Sequence, residues 1–276
     1  MRKVLLPQGD SVPALGQGTW RMGEKSSQRA AETAALRTGI DLGMTLIDTA
    51  EMYGEGTTET FLGTALEGIR DQVFLVSKVC PQNAWGRKLV NACEASLKRL
   101  RTDRLDLYLL HWMGDIPLAE TVAGMEALKA AGKIRSWGVS NLDLADMRDL
   151  ERAGGQACAT DQILYNVTRR GPEFDLLPAL ASKGIAVMAY SPVEQGRLPS
   201  DGALRTVADR HGATPYQVAL AWAMREKHVI AIPKAGDEKH VRENRAAGDL
   251  TLTAEDLAAI DAAFPPPTRK SHLQML

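Results

Sequence analysis

The chain has 276 residues, 45% of them hydrophobic and 24% charged, the proportions of a folded globular protein rather than a disordered or coiled-coil one. Its net charge is −1, with acidic and basic residues interspersed, which argues against a nucleic-acid-binding face or a polybasic membrane segment. The three cysteines, Cys80, Cys93 and Cys158, show no Cys-x-x-Cys or Cys/His metal spacing, so free thiols, a reducing compartment and no metal are expected.

The basic start Met1-Arg2-Lys3 is followed by an apolar stretch that stops at Pro7, too short for a signal-peptide core. Residues 2–13 read as a short hairpin turning at Gln8-Gly9-Asp10-Ser11. Then short apolar runs alternate with longer amphipathic stretches. The runs are Leu15–Trp20, Thr45–Thr49, Val73–Val79, Leu105–His111, Ile134–Ser140, Thr160–Leu164, Ile185–Tyr190 and Val229–Pro233, eight in all. Helical spacing is plain in Ser27–Leu42, Trp85–Leu100, Leu118–Ala130 and Leu142–Ala153, and Gly43, Gly132 and Gly184 stand where helix stops are expected. The region 199–227 predicts two helical pieces broken at Gly212 and Pro215, and the tail after Pro265-Pro266-Pro267 has no periodicity. No apolar run approaches the ~20 residues that span a bilayer, so a cytoplasmic protein with no membrane partner is expected.

Apolar strands alternating with helices imply a parallel sheet covered by helices. A doubly wound dinucleotide fold would want Gly-x-Gly-x-x-Gly after its first strand; Gly16-Gln17-Gly18-Thr19-Trp20 lacks the third glycine, and no Walker A sequence exists. Eight strands favour one (β/α)8 TIM barrel over residues 1–276, with the N-terminal hairpin and extra helical segments as additions.

In such a barrel the residues at the C-terminal strand ends converge on one mouth. Here they are Asp48, with Tyr53 in the loop beyond it, then Lys78, His111, Ser140-Asn141, Gln162, Tyr190 and Lys234. Singly, Asp48 reads equally well as a helix cap, Tyr53 as a surface aromatic and His111 as a buried histidine. Lys78 is harder to dismiss. It lies inside Phe74-Leu75-Val76-Ser77-Lys78-Val79, and burying a lone ammonium is costly. Asp48, on the neighbouring strand, is the available carboxylate. Together the set suits carbonyl reduction, which needs a hydride donor, a proton donor and a group to polarise the oxygen.

The stretches Gly16–Trp20, Leu46-Ile47-Asp48-Thr49-Ala50 with Tyr53-Gly54, Val76-Ser77-Lys78 and Leu105–Trp112 follow one another in order. So do Gly132-Lys133-Ile134-Arg135, Gly138-Val139-Ser140-Asn141, Tyr190-Ser191-Pro192 and Ile232-Pro233-Lys234. Along nearly its whole length the sequence resembles the aldo-keto reductase family, and within it the bacterial members that reduce methylglyoxal. The resemblance implies a barrel enzyme that uses NADPH and carries Asp48, Tyr53, Lys78 and His111 as its catalytic tetrad. It implies that Ser140, Asn141 and Gln162 hold the nicotinamide carboxamide and that Tyr190 stacks on the ring. Gly18, Thr19 and Trp20 would line the pocket, and Ser191 and Pro192 would approach the pyrophosphate. Ile232, Pro233 and Lys234 would lead to the 2′-phosphate, with Glu243 and Asn244 beside the adenine. Substrate contacts would come from Trp20, Tyr53, Trp85, His111 and Trp112.

The family pattern has serine after that lysine and arginine five residues later, where this chain has Ala235 and His240. Alanine gives phosphate no hydrogen bond, and histidine lacks the guanidinium fork. NADPH is still expected over NADH, with a weaker and more pH-dependent grip. A short tail suggests an open pocket for small aldehydes or dicarbonyls, in a monomer. Two rivals share the barrel: a non-catalytic nicotinamide-binding subunit, and a Schiff-base aldolase using Lys78 or Lys234. A glycosidase would need two facing carboxylates, and no convincing partner for Asp48 and Glu51 stands at a strand end.

Overall fold

The structure is a computed structural model, and it describes residues 1–199 and 202–276. Eight parallel strands run β3 (Gln17–Gly18), β4 (Leu46–Asp48), β5 (Phe74–Val79), β6 (Leu105–Leu110), β7 (Ile134–Ser140), β8 (Thr160–Leu164), β9 (Ala186–Tyr190) and β10 (Val229–Ala231), each paired with the next in sequence order. A parallel bridge between Leu15 and Ala231 joins the two ends. Gly16 N donates to Ala231 O at 2.8 Å, Ala231 N to Ala14 O at 2.9 Å and Gly18 N to Pro233 O at 3.0 Å, completing the seam. The (β/α)8 expectation stands.

Because successive side chains in a strand face opposite ways, the sheet sorts its residues into two apolar layers. Leu46, Val76, Leu107, Leu109, Met188 and Ile230 pack inside the barrel. Ile47, Leu75, Tyr108, Trp137, Ile163 and Val187 pack outward beneath the helices. Each fully buried apolar side chain contributes about 1.5–3 kcal/mol. The same alternation puts Asp48 and Lys78 on the inner face, in phase with Leu46 and Val76.

The helices follow their strands: α1 (Arg29–Asp41), α2 (Thr57–Ala65), α3 (Gly86–Leu100), α4 (Leu118–Ala130), α5 (Leu144–Arg152), α6 (Leu176–Ser182), α7 (Ala203–His211), α8 (Pro215–Ala223), α9 (Glu238–Ala247) and α10 (Ala254–Ala263). On α3, Leu89, Ala92, Cys93, Leu97 and Leu100 form the buried face. Capping boxes start α5 (Asp143 with Asp146), α8 (Thr214 with Gln217) and α10 (Thr253 with Asp256), each cap worth about 1 kcal/mol. The two helical pieces expected between 199 and 227 are α7 and α8; Ser200 and Asp201 of that stretch lie outside the described residues.

The N-terminal hairpin, β1 (Lys3–Leu5) with β2 (Ser11–Pro13), packs Val4, Leu6 and Val12 on the inner apolar layer. Its turn begins at Leu6, earlier than the sequence suggests, because Leu6 N and Asp10 O bond at 2.8 Å. Residues 265–276 form no helix or strand, as expected. Among the described residues, no helix is long and apolar enough to cross a membrane.

Candidate active site

A cavity of about 1010 Å³ opens at the C-terminal ends of the strands. The chemistry is concentrated where β4 and β5 deliver their inward polar residues. Lys78 is fully buried, and its Nζ lies 2.8 Å from Asp48 Oδ2, 2.8 Å from Thr49 O and 3.3 Å from the Tyr53 hydroxyl. Asp48 is held from two more directions. Its Oδ1 accepts Gln162 Nε2 at 2.7 Å, and its carbonyl accepts the Thr19 hydroxyl at 2.8 Å. Tyr53 itself comes from the loop after β4. That loop is fastened to the end of β5 by Glu51, whose Oε1 accepts Cys80 N at 2.7 Å and Asn83 Nδ2 at 3.0 Å. His111 follows β6 and meets Tyr53 edge-on, with ring centroids 6.0 Å apart.

Burial and charge set the protonation states of this cluster. Burial pulls the Lys78 ammonium down, but Asp48 and Tyr53 outweigh it and the net displacement is upward, so Lys78 is a cation. Burial pushes the Tyr53 phenol up; Lys78 opposes that push without reversing it, and Tyr53 remains protonated at neutral pH. The influence of Lys78 on the phenol is to ease proton release. Burial is the stronger effect here. The His111 imidazole is pulled down to about 3 by burial and then by Lys78, so it is neutral. Its Nδ1 is buried without a hydrogen-bond partner.

Along β7 to β9 the wall is polar. Ser140 Oγ donates to Gln162 O at 2.8 Å, and the Tyr190 hydroxyl donates to Asn141 Oδ1 at 3.0 Å. Asn141 sits at φ 61, a left-handed conformation that asparagine tolerates better than most residues. Beyond Tyr190, Ser191, Glu194 and Gln195 also have positive φ, at a cost of roughly 1–2 kcal/mol each.

Most of the residues singled out from sequence share this one cavity. Gly18, Thr19, Trp20, Asp48, Tyr53, His111, Trp112, Ser140, Asn141 and Gln162 line its inner part. Tyr190, Ser191, Pro192, Ile232, Pro233, Lys234, His240, Glu243 and Asn244 line the rest. Lys78 lies behind Tyr53. Two do not belong. Trp85 is at the start of α3, paired with Lys88 (5.3 Å from the ring centroid) and away from the lining. Ala235 is likewise absent from the wall. His240 is at the surface, where Asp237 Oδ2 holds its ring Nδ1 at 2.5 Å and Asp237 Oδ1 accepts its backbone N–H at 2.9 Å.

The sequence reading missed several wall residues: Arg21 and Met52 near the tetrad, Gln195 and Gly196 after β9, Thr214, Tyr216 and Gln217 at the start of α8, and Met275 and Leu276. Met52 adjoins Tyr53 and was within reach of sequence logic. The tail is a correction. Short as it is, its last two residues fold back to the mouth, so the pocket is less open than its length implied. No periodic pattern marks where an irregular tail docks. All three cysteines are buried and unpaired, and burial pushes the Cys80 thiol up to about 12, with Glu51 adding to it.

A (β/α)8 barrel with this cluster at its C-terminal mouth defines a class of carbonyl-handling proteins, and the comparisons agree. The sequence matches the Aldo/keto reductase family over residues 14–264; the chain belongs to that family. It is 52% identical over 282 residues to the methylglyoxal reductase YeaE of Escherichia coli (strain K12), covering 100% of this chain and 99% of that protein. It is 30% identical over 257 residues to the methylglyoxal reductase DkgB of Yersinia pestis, covering 91% and 92%. In structure it is similar to an aldo-keto reductase from Klebsiella pneumoniae in complex with NADPH, with a TM-score of 0.97, 51% identity and coverage of 100% and 99%.

Proposed function

We propose that this chain reduces the carbonyl group of small aldehydes, ketones and dicarbonyls such as methylglyoxal, with NADPH as the cofactor and Tyr53 as the general acid. One observation carries the reading: the Tyr53 hydroxyl lies 3.3 Å from a buried Lys78 cation that is itself paired to Asp48 at 2.8 Å. A phenol so placed is protonated in the resting state. The adjacent ammonium stabilises the phenolate left when it gives its proton to the developing alkoxide. Neutral His111 offers an N–H to the same oxygen. Asp48 keeps Lys78 charged and aimed.

The cavity suits a dinucleotide. Gly18, on its wall, brings the backbone of the first strand close to Ile232 O, which a Cβ would meet at 2.8 Å. Ser140, Asn141 and Gln162 supply amide and hydroxyl groups at the tetrad end, and Lys234, Glu243 and Asn244 stand at the other. Among the described residues no carboxylate pairs with Lys234, which leaves its charge for a phosphate. NADPH supplies the hydride when bound. The resemblance to two methylglyoxal reductases and to an NADPH complex supports both choices.

The aldolase reading loses ground at Lys78, because a Schiff-base lysine must be deprotonated and Lys78 is held as a cation. The test is turnover of methylglyoxal and phenylglyoxal with NADPH and with NADH. NADPH is expected to be preferred, and Tyr53→Phe should lower turnover by about 10²–10⁴-fold while its NADPH affinity stays near that of wild type. A Tyr53→Phe variant that kept most of its activity would end the proposal.

A further inference from the structure

The segment after β9 places Ser191, Glu194 and Gln195 at φ 46, 49 and 55. Side-chain-bearing residues keep that conformation only where their surroundings hold them there. The holding element is a polar clip behind the segment. Asn166, fully buried in the loop after β8, points both amide hydrogens at it: one to Ser191 O at 2.9 Å and one to Glu194 Oε2 at 2.7 Å. Asn166 Oδ1 is fixed in turn by the Thr168 N–H at 2.9 Å and hydroxyl at 2.8 Å. The other oxygen of Glu194 accepts Arg169 Nε at 3.1 Å and Nη2 at 2.6 Å. At the far end, the Tyr216 hydroxyl donates to Gly196 O at 2.8 Å.

Glu194 does not line the cavity, whereas Val193 before it and Gln195 and Gly196 after it do. A buried carboxylate thus sets the backbone of a cavity wall without facing the cavity. Its chemistry is specific. Two donors converge on it, an amide and a guanidinium, and each needs an acceptor. Glutamine offers one acceptor and one donor, so in either orientation its amide group would confront a donor.

We propose that Glu194 is a positioning residue for the cofactor: clipped by Asn166 and Arg169, it fixes residues 191–196 as a rigid wall and thereby sets how long the cofactor stays bound. This rests on the reading of the cavity as an NADPH site.

The test is stopped-flow displacement of NADPH from the full chain, followed by protein fluorescence, beside single-turnover reduction of phenylglyoxal at saturating NADPH. Glu194→Gln should raise the NADPH dissociation rate about tenfold, because changes of this kind act mainly on dissociation, with the single-turnover rate within about twofold of wild type. Arg169→Ala, at a side chain one third exposed (33%), should raise the dissociation rate in the same direction, and it provides the measurement if Glu194→Gln fails to fold. The double variant should be no faster than the worse single one, since the two residues act as one unit. Unchanged dissociation in a folded Glu194→Gln or Arg169→Ala chain that binds NADPH overturns this proposal alone. A single-turnover rate that falls by the same factor as the dissociation rate rises would reduce Glu194 to general structure and also overturn it. A wild-type chain that fails to bind NADPH overturns the cavity reading and this proposal together.

Discussion

Two buried charged residues of the strands, Lys78 and Asp161, meet opposite fates. Lys78 on β5 finds Asp48 at 2.8 Å and is fully satisfied; removing either partner of such a buried pair costs about 3–5 kcal/mol. Asp161 on β8 faces outward, fully buried, and no charged side chain among the described residues pairs with it; neither carboxyl oxygen makes a well-formed hydrogen bond. Burial pushes its carboxyl well above the usual range; the Leu142 backbone N–H opposes that push, and Asp146 and Asp143 add to it. The folded state therefore keeps a proton that the unfolded chain releases above about pH 4. Folding stability from this group is present below that pH and erodes as pH rises, by at most about 1.4 kcal/mol per unit. Asp161→Asn cannot ionise and escapes the loss. Urea unfolding of the two proteins should give similar stabilities near pH 4 and a gap in favour of the variant that widens toward pH 8; a gap independent of pH would show that Asp161 is ionised in the fold. Asp161 passed unremarked within Thr160–Leu164, while at Lys78 a charged residue in an apolar run was legible in the sequence. Whether a partner stood opposite was not, because that depends on which face of the strand carries it and what the neighbouring element brings.

At the scale of elements, the sequence yields what periodicity and strand ends encode. β4 to β9 fall within two residues of the apolar runs, and the inward phase of Asp48, Lys78 and Gln162 follows from alternation alone. What escapes is any segment whose place is set by contacts distant in sequence. Asn166 and Arg169 hold Ser191 and Glu194 beside Gln195 and Gly196; Thr214 and Tyr216 are recognisable as a helix start, but nothing local says that this end faces the cavity. The tail is the extreme case. Met275 and Leu276 are more than half exposed, at 58% and 57%, yet they line the mouth with Trp20, Met52 and Trp112. Side chains so exposed contribute little to folding and are available to an incoming apolar group. Replacing both by alanine should leave the melting temperature unchanged. It should raise the KM for phenylglyoxal about fivefold, the effect of losing roughly 1 kcal/mol of apolar contact, and alter the KM for methylglyoxal much less. Equal changes for both substrates would mean that the tail acts on the cofactor or the tetrad rather than on the body of the substrate.

For the whole molecule the decisive event is closure of the barrel, because the tetrad sits beside the seam: Thr19, one residue past β3, bonds to Asp48 O at 2.8 Å. The first strand has two residues and the last three, and they meet through backbone at Ala14, Gly16 and Gly18. Two glycines make that approach possible. A Cβ on Gly16 would lie 2.8 Å from Leu46 Cδ2 and 2.9 Å from Leu46 O; on Gly18 it would lie 2.8 Å from Ile232 O. Gly16→Ala must therefore push β4 away, an overpacking that costs about 1–3 kcal/mol, or several degrees in melting temperature for a chain of this size. Gly16 does not itself line the cavity, so the NADPH affinity of the molecules that remain folded should be close to that of wild type. Gly18→Ala strains the seam in the same way but sits on the cavity wall, and it should lower both melting temperature and cofactor affinity. Thermal unfolding and fluorescence titration of the two variants separate the roles. A Gly16→Ala protein that melts with wild type would show that the strands splay at no cost and that closure does not hold the tetrad in place.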